Sequence, residues 1–221
     1  MINDILLIDD HPIILNAYEN AITKFAENNT NFQFKIYTAI CCESALNLIN
    51  NRNKPFNYVF LDIRLPKSKG SKFQSGKDIG LELKKRFPKT KIVVITGHFD
   101  TFTLDFILQY INPHGLLFKG DIVANTVSEA LKSAFKNEPF YSITILKLLR
   151  KKISSNIILS KVDKLLLSEI SKGTKTKDLV KILPLSIGGV EKRKRHLREL
   201  FDTLKGNDLT LINAAKEKGF V

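Results

Sequence analysis

Cysteine is scarce in these 221 residues: there are two, and they are neighbours, Cys41 and Cys42. Adjacent cysteines rarely bridge each other, and nothing else is available for a disulfide framework or a structural zinc site. Long apolar runs are also missing, and none approaches the roughly 20 residues that a membrane helix needs. The opening Met1-Ile2-Asn3-Asp4 has an acid where a signal peptide carries positive charge, and the apolar stretch 5–8 is cut off by Asp9-Asp10. A chain that is not secreted, has no membrane partner and works in a reducing, cytoplasmic setting is therefore expected. No internal repeat or low-complexity tract is visible, which excludes a solenoid.

What is present is ordinary for a folded chain, with 43% hydrophobic and 26% charged residues. Disorder is not expected at that composition, and the length suits one large or two small domains. The net charge of +13 is unevenly spread. Residues 1–138 hold 17 Lys/Arg against 14 Asp/Glu, whereas residues 139–221 hold 18 against 8, a local excess of +10. A basic C-terminal module implies a polyanionic partner, nucleic acid before anionic membrane.

Five short apolar runs punctuate the first half, at residues 5–8, 32–37, 58–61, 92–95 and 116–118. Between them the apolar positions take helical spacing, as in Ile14, Ala17, Tyr18, Ala21, Ile22 and Phe25. Strands alternating with helices of this length predict βαβ units and a parallel sheet. Continuous apolar runs predict strands covered on both faces. In the second run Phe32, Phe34 and Ile36 alternate with Gln33, Lys35 and Tyr37, which predicts a half-exposed edge strand.

The residues that end these runs carry the chemistry. Asp9-Asp10 follow the first, Asp62 ends the third, Thr96 the fourth and Lys119 the fifth. In an open parallel sheet the carboxyl ends of the strands form the ligand crevice, so three acids, a hydroxyl and an amine converge on one rim. Singly, each has a plain structural reading, since an Asp after a strand commonly caps a helix. Together they match phosphoryl transfer to a carboxylate. Mg²⁺ takes oxygen ligands and is held by one or two carboxylates plus phosphate oxygens. Asp10 and Asp62 can supply those, with Asp9 acting through water. Asp62 can also be the nucleophile that becomes an acyl phosphate. Lys119 meets the dispersed negative charge of the transferring group, and Thr96 can donate its hydroxyl to a phosphoryl oxygen.

The segments Leu7-Ile8-Asp9-Asp10-His11, Phe60-Leu61-Asp62-Ile63-Arg64-Leu65-Pro66, Val94-Ile95-Thr96-Gly97 and Gly115-Leu116-Leu117-Phe118-Lys119 resemble the receiver domain of a two-component response regulator, over about residues 3–136. The resemblance implies a flavodoxin-like, doubly wound, five-stranded parallel sheet of order 2-1-3-4-5. It implies Mg²⁺ held by Asp9, Asp10, Asp62 and the backbone carbonyl of Ile63. It also implies a sensor histidine kinase as phosphodonor. The chain departs from the family at Leu116, where an aromatic is usual three residues before the lysine, and at Gly97, where Ala or Ser is usual. The stretch from Asp62 to Gly76 is longer than usual, and residues 67–77 carry four lysines and no acid. A metal-dependent phosphatase or hydrolase on the same sheet would need a second acid or base at the rim, and His98 reads as a loop residue. A regulator rather than an enzyme is expected.

Residues 138–156 read as a linker, with Pro139 stopping the preceding helix and a short helix over about 143–153. From Leu159 the pattern predicts four helices, about 161–172, 176–183, 186–204 and 208–218. The second and third, joined through Leu183-Pro184-Leu185-Ser186, form a helix-turn-helix candidate. The third has an apolar stripe of Val190, Leu197, Leu200, Phe201 and Leu204, while Lys192, Arg193, Lys194, Arg195, His196 and Arg198 crowd the rest. A basic run near the N-terminal half of such a helix is the part that enters the major groove. Gly188 and Gly189 each cost roughly 1 kcal/mol inside a helix, and make sense where the backbone approaches a phosphate or another helix.

Leu159-Ser160, Gly173, Asp178-Leu179-Val180 and Leu185-Ser186 make this small all-α module resemble the LuxR/NarL-type output domain. By position, the resemblance implies base-facing roles for Glu191, Lys192 and Arg195, with Gly188, Gly189, Arg193, His196 and Arg198 around them. The expected protein is a response regulator with a receiver over 1–137, a linker over 138–156 and a DNA-binding domain over 157–221. It would be phosphorylated on Asp62 and bind promoter double-stranded DNA as a homodimer. The alternative is a phosphorylation-controlled module whose basic output domain binds protein or RNA.

Overall fold

A computed structural model of the chain describes residues 2–66, 73–97, 101–123 and 125–221. Residues 67–72 of the lysine-bearing loop and His98 lie outside the described residues. The chain divides into two compact units, residues 1–98 with 107–145, and residues 99–106 with 146–221.

The first unit is built on a parallel sheet of β1 (Ile2–Ile8), β2 (Gln33–Ala39), β3 (Tyr58–Asp62), β4 (Lys91–Thr96), β5 (Gly115–Phe118) and β6 (Phe140–Tyr141). The strand order is β2-β1-β3-β4-β5-β6. Between the strands run α1 (Pro12–Asn28), α2 (Cys42–Asn50), α3 (Gly76–Arg86), a π-helical turn at Ile107–Ile111 and α5 (Thr126–Phe135), while α4 (Thr101–Phe106), which leads into that turn along the chain, is counted with the second unit. Every residue of β3 is buried, as its unbroken apolar run requires. Strand β2 lies at the edge and is mostly half-exposed, in keeping with its alternating pattern.

Alternate strand residues serve opposite faces. Ile5, Leu7, Phe60, Val93 and Ile95 pack with Leu15, Tyr18 and Ile22 of α1 and with Val127, Ala130 and Leu131 of α5. Leu6, Val59, Leu61, Ile92 and Val94 are equally buried. On their side Gly80 of α3 lies against the side chains of Leu61 and Ile111.

The expected order 2-1-3-4-5 is extended by a sixth strand. Phe140–Tyr141 pair parallel to Gly115 and Leu116, through Phe140 N–H to His114 O at 3.0 Å and Ser142 N–H to Leu116 O at 3.1 Å. Residues 138–156 thus hold a strand and a helix, α6 (Ile143–Ser154). Two residues are too few to show a period of two. The Asp121 carboxylate accepts both the N–H and the hydroxyl of Thr144 and fixes the first turn of α6.

The second unit contains α7 (Lys161–Ser171), α8 (Thr176–Leu179), α9 (Ile187–Leu200) and α10 (Asp208–Glu217). Ser160 and Asp163 close a capping box at the start of α7, and Asn207 caps α10 through the Thr210 N–H. The core gathers Leu166, Leu167, Leu179, Val190, Leu197, Phe201, Leu211 and Phe220. Helix α9 ends four residues before the expected Leu204. Asp202 turns left-handed at φ 57°, and Thr203 N–H reaches back to Arg198 O at 2.7 Å. Leu204 is consequently exposed rather than part of the buried stripe. Helix α8 is a single turn, shorter than its apolar spacing suggested. Among the described residues no helix is long and apolar enough to cross a membrane.

Candidate phosphoacceptor site and nucleic-acid interface

The pairing of β1, β3, β4 and β5 brings their carboxyl ends to one rim. Lys119, the residue after β5, places Nζ 2.6 Å from Asp62 Oδ2 and 2.7 Å from Asp9 Oδ2. Both acids are almost wholly buried, and Thr96 at the end of β4 is fully so. Asp62 Oδ1 accepts the Arg64 N–H at 2.8 Å. Asp9 Oδ1 accepts the His11 N–H at 3.0 Å. The His11 ring then lies between two carboxylates, with Nδ1 3.0 Å from Asp9 Oδ1 and 2.9 Å from Asp10 Oδ1. Asp10 is the more exposed of the acid pair.

Two buried carboxylates therefore share one ammonium. Burial pushes the Asp62 carboxyl above its ordinary range, against the opposing hydrogen bonds from Lys119 and the Arg64 N–H. Burial also pulls the Lys119 ammonium down. Its hydrogen bond to Asp62 and its close contact with the Asp9 carboxylate outweigh that, and its pKa stands above the usual lysine value. The pocket is poised to take in more positive charge.

The donor set suits a hard cation. One ligand atom each of Asp9, Asp10 and His11 lie within 4.8 Å of one another. Asp9 Oδ2 and Asp10 Oδ1 are buried with no aligned hydrogen-bond partner, the Lys119 and His11 contacts at these atoms being ion pairs only. The Ile63 carbonyl accepts the Gly76 N–H at 3.1 Å, which leaves its second lone pair.

Gly76 opens α3 directly against this site. A Cβ there would stand 2.0 Å from the Asp62 carbonyl oxygen and 2.8 Å from Ile63 Cα. The glycine is a matter of space, since its φ is not left-handed. Asp78 holds the same turn by accepting the N–H groups of Gln74 and Ser75. Ser142 is a site neighbour that sequence reasoning did not find. Its hydroxyl accepts the Phe118 N–H at 3.0 Å, one residue before Lys119. No spacing could reveal it, because it lies 24 residues further along the chain.

In the second unit the basic residues of α9 divide into two sets. Gly188, Glu191, Lys192, Arg195 and His196 are exposed, and Gly189 is half-buried. Lys192, Arg195, His196 and Gly189 line a groove with Leu185, Arg193 and Glu199. The other set, Arg193 included, pairs with acids on other helices of the unit. Arg193 Nε lies 3.2 Å from Asp163 Oδ1, a buried acid on α7. Lys194, only 4% exposed, places Nζ 2.6 Å from Asp208 Oδ2 and 3.1 Å from Thr176 Oγ1. Arg198 donates to the other Asp208 oxygen at 2.7 Å. Of the residues expected to face DNA, Arg193 and Arg198 thus already have acidic partners inside the unit. Glu191 receives the Thr176 hydroxyl at 3.2 Å. Asp163 and Asp208 went unnoticed in the sequence, although the Ser160-x-x-Asp163 spacing was a legible capping signal.

An open parallel sheet with buried acids about a lysine at its strand ends, in a chain that also holds a helical unit, defines a receiver-type protein. The family model for the response regulator receiver domain matches residues 5–119, more than half of the chain. The protein belongs to the response regulator receiver domain family. No curated protein matches it. Among solved structures, one of two RcsB dimers bound to two parallel DNAs is similar at 23% identity, covering 98% of this chain and 99% of that chain, with a TM-score of 0.62. RcsB from Salmonella enterica serovar Typhimurium, bound to a promoter in the presence of phosphomimetic BeF3⁻, is similar at 23% identity, covering 97% and 98%, with a TM-score of 0.62. A CheY-like receiver domain protein from Methanospirillum hungatei JF-1 covers 62% of this chain and 97% of its own, at 20% identity and a TM-score of 0.50. At these identities the likeness is one of fold, and with RcsB it extends through the helical unit.

Proposed function

We propose that the protein is a phosphorylation-controlled transcription regulator. It accepts a phosphoryl group on Asp62 from a sensor histidine kinase and binds promoter duplex DNA through α9. The observation that carries this reading is Lys119 bridging Asp9 and Asp62 at 2.7 and 2.6 Å among buried strand ends. In the transfer, an Asp62 carboxylate oxygen attacks phosphorus and the P–N bond to the donor imidazole breaks. That imidazole takes a proton from water, and an acyl phosphate remains. Asp9, Asp10, Asp62 and the Ile63 carbonyl would hold Mg²⁺, which neutralises phosphoryl charge when bound. Lys119 stays within reach of the same oxygens as the second cation, and the Thr96 hydroxyl meets the phosphoryl group after transfer. Gly76 keeps the Asp62 peptide where the carboxylate needs it.

The exposed Lys192, Arg195 and His196 support the DNA reading, with Arg193 and Arg198 orienting the helix. RcsB dimers on DNA support a homodimer reading two half-sites. A cytoplasmic location accords with kinase and DNA as partners. The phosphoacceptor assignment is tested with acetyl phosphate and Mg²⁺: wild type is labelled, Asp62→Asn is not, and full labelling of Asp62→Asn refutes it. The output is tested by binding at graded salt. A duplex reader loses about 0.9 log units of affinity per tenfold salt for each phosphate contacted, and prefers particular sequences. Salt-independent capture of a protein, or preference for single-stranded RNA, would replace DNA by that partner.

A further inference from the structure

Lys119 lies just beyond the part of β5 that its neighbouring strands pair. On one side the pairing with β4 ends at Phe118, opposite Thr96. On the other, the pairing with β6 ends at Leu116, opposite Tyr141. Yet the Lys119 Nζ is placed on two carboxylates that are almost wholly buried, Asp9 and Asp62. A lysine stem is long and flexible and ends in a point charge with rotatable donors. Holding that charge on two acids requires the peptide at its root to be fixed by something other than the sheet ladders.

Ser142 and Thr144 fix it from both sides. Ser142 is only 6% exposed, and its hydroxyl accepts the Phe118 N–H at 3.0 Å. That contact carries the β5–β6 connection past its last backbone bond, Ser142 N–H to Leu116 O at 3.1 Å. After Lys119 the chain makes a tight turn, in which Ile122 N–H reaches Lys119 O at 3.3 Å. Asp121 of that turn accepts the Thr144 N–H at 2.8 Å and the Thr144 hydroxyl at 2.7 Å. The bonds that fix the first turn of α6 thus fix the Lys119 turn as well. Lys119 sits between two anchors, one residue after the first and two before the second. Both anchors come from 24 and 23 residues further along the chain, in a stretch whose sequence reads as a linker.

We infer that Ser142 and Thr144 are positioning residues for Lys119, so that the start of α6 belongs to the phosphoacceptor site. The inference rests on the phosphoacceptor reading above and adds two residues that act through the Lys119 peptide. Lys119 meets the phosphoryl charge during transfer, and such a cation works only where it is held in place beforehand. A shift of its peptide therefore acts on the rate of transfer. Asp9, Asp10, Asp62 and the Ile63 carbonyl stand on the ends of β1 and β3, so the groups that would hold the cation and the donor are left where they are.

The full chain and its variants are labelled with acetyl phosphate and Mg²⁺ at graded donor concentration, and their folding is followed by circular dichroism. Ser142→Ala removes the acceptor of the Phe118 N–H. Its maximal labelling rate should fall about tenfold, short of the roughly 10²-fold that a 1 Å misplacement can cost, while the half-saturating donor concentration stays within about twofold of wild type. Ser142→Thr keeps a hydroxyl and should restore the rate. Thr144→Val keeps the shape and the N–H, loses one of the two bonds to Asp121, and should slow the maximal rate by about fivefold, the worth of one ordinary hydrogen bond. A lower melting temperature with an unchanged maximal rate in folded Ser142→Ala would show a role in folding alone and overturn the inference. So would Ser142→Thr as slow as Ser142→Ala, or a rise in the half-saturating concentration that accounts for the slowing. If Ser142→Ala does not fold, a wild-type rate in Thr144→Val overturns it. A wild type that takes no label, or label retained in Asp62→Asn, overturns the phosphoacceptor reading itself.

Discussion

Replacing Gly76 by alanine tests the tightest backbone contact at the phosphoacceptor site. The added Cβ would lie 2.0 Å from the Asp62 carbonyl oxygen, 2.8 Å from Ile63 Cα and 2.9 Å from the Asp62 carbonyl carbon. All three are backbone atoms, so no side chain can swing aside. Non-bonded carbon atoms settle near 3.5–4.0 Å, so relief needs a shift of about 1 Å or more by α3 or by the strand end. Forcing an extra methyl into a packed site costs about 1–3 kcal/mol. The helix gains less than about 1 kcal/mol in return, because Gly76 is its first residue. The net loss should lower the melting temperature of the first unit by roughly 2–4 °C per kcal/mol. The catalytic effect should be larger than the structural one. Asp62 hangs from the displaced peptide, and a 1 Å misplacement of a reacting group can cost about 10²-fold in rate. The assay pairs thermal unfolding followed by far-UV circular dichroism with the initial rate of acetyl-phosphate labelling. Gly76→Ala with wild-type stability and wild-type labelling would refute the contact and the role given to the glycine.

Lys119→Met leaves two buried carboxylates without their cation and should cost about 3 kcal/mol at pH 7, as for other broken buried pairs. Because burial raises the Asp62 pKa, Asp62 takes up its proton above the usual carboxylate range, and the deficit should shrink as pH falls through that raised value. A deficit in urea denaturation equal at pH 7 and pH 4 would contradict this. The raised Lys119 pKa has the opposite sign: its stabilisation is complete below the ordinary lysine value of 10.5 and is lost as pH rises through the folded-state value. Wild type should therefore lose stability more steeply than Lys119→Met above that pH. Lys194→Met should change stability by no more than about 1 kcal/mol, since Asp208 keeps Arg198 and is itself 39% exposed. Lys194→Glu should instead unfold the second unit at ambient temperature in chemical melts. Lys192→Ala and Arg195→Ala should relax base preference by roughly 1–3 kcal/mol per lost contact. Arg193→Ala and Arg198→Ala should show their main effect in unfolding rather than in sequence preference.

Sequence alone determined the layout of the first unit and the cast of its site. Each of Asp9, Asp62, Thr96 and Lys119 follows an apolar run, and a parallel sheet must bring such strand ends together whatever its loops do. The edge position of β2 followed equally from its two-residue alternation. Those are local patterns, and local patterns survive folding unchanged. Tertiary structure decided what depends on partners distant in the chain. A run of six basic residues looks uniform along α9. Yet Asp163 and Asp208, on other helices, take Arg193, Lys194 and Arg198 for the unit itself. Lys192, Arg195 and His196 stay without such partners on other helices and line the outward groove together with Arg193. The two-residue β6 exists because Gly115 and Leu116 offered an open edge, not because Phe140 and Tyr141 carry any signal. Gly76 is held to glycine by an oxygen 14 residues earlier. Period and composition report which face a residue prefers. Only packing decides what that face meets.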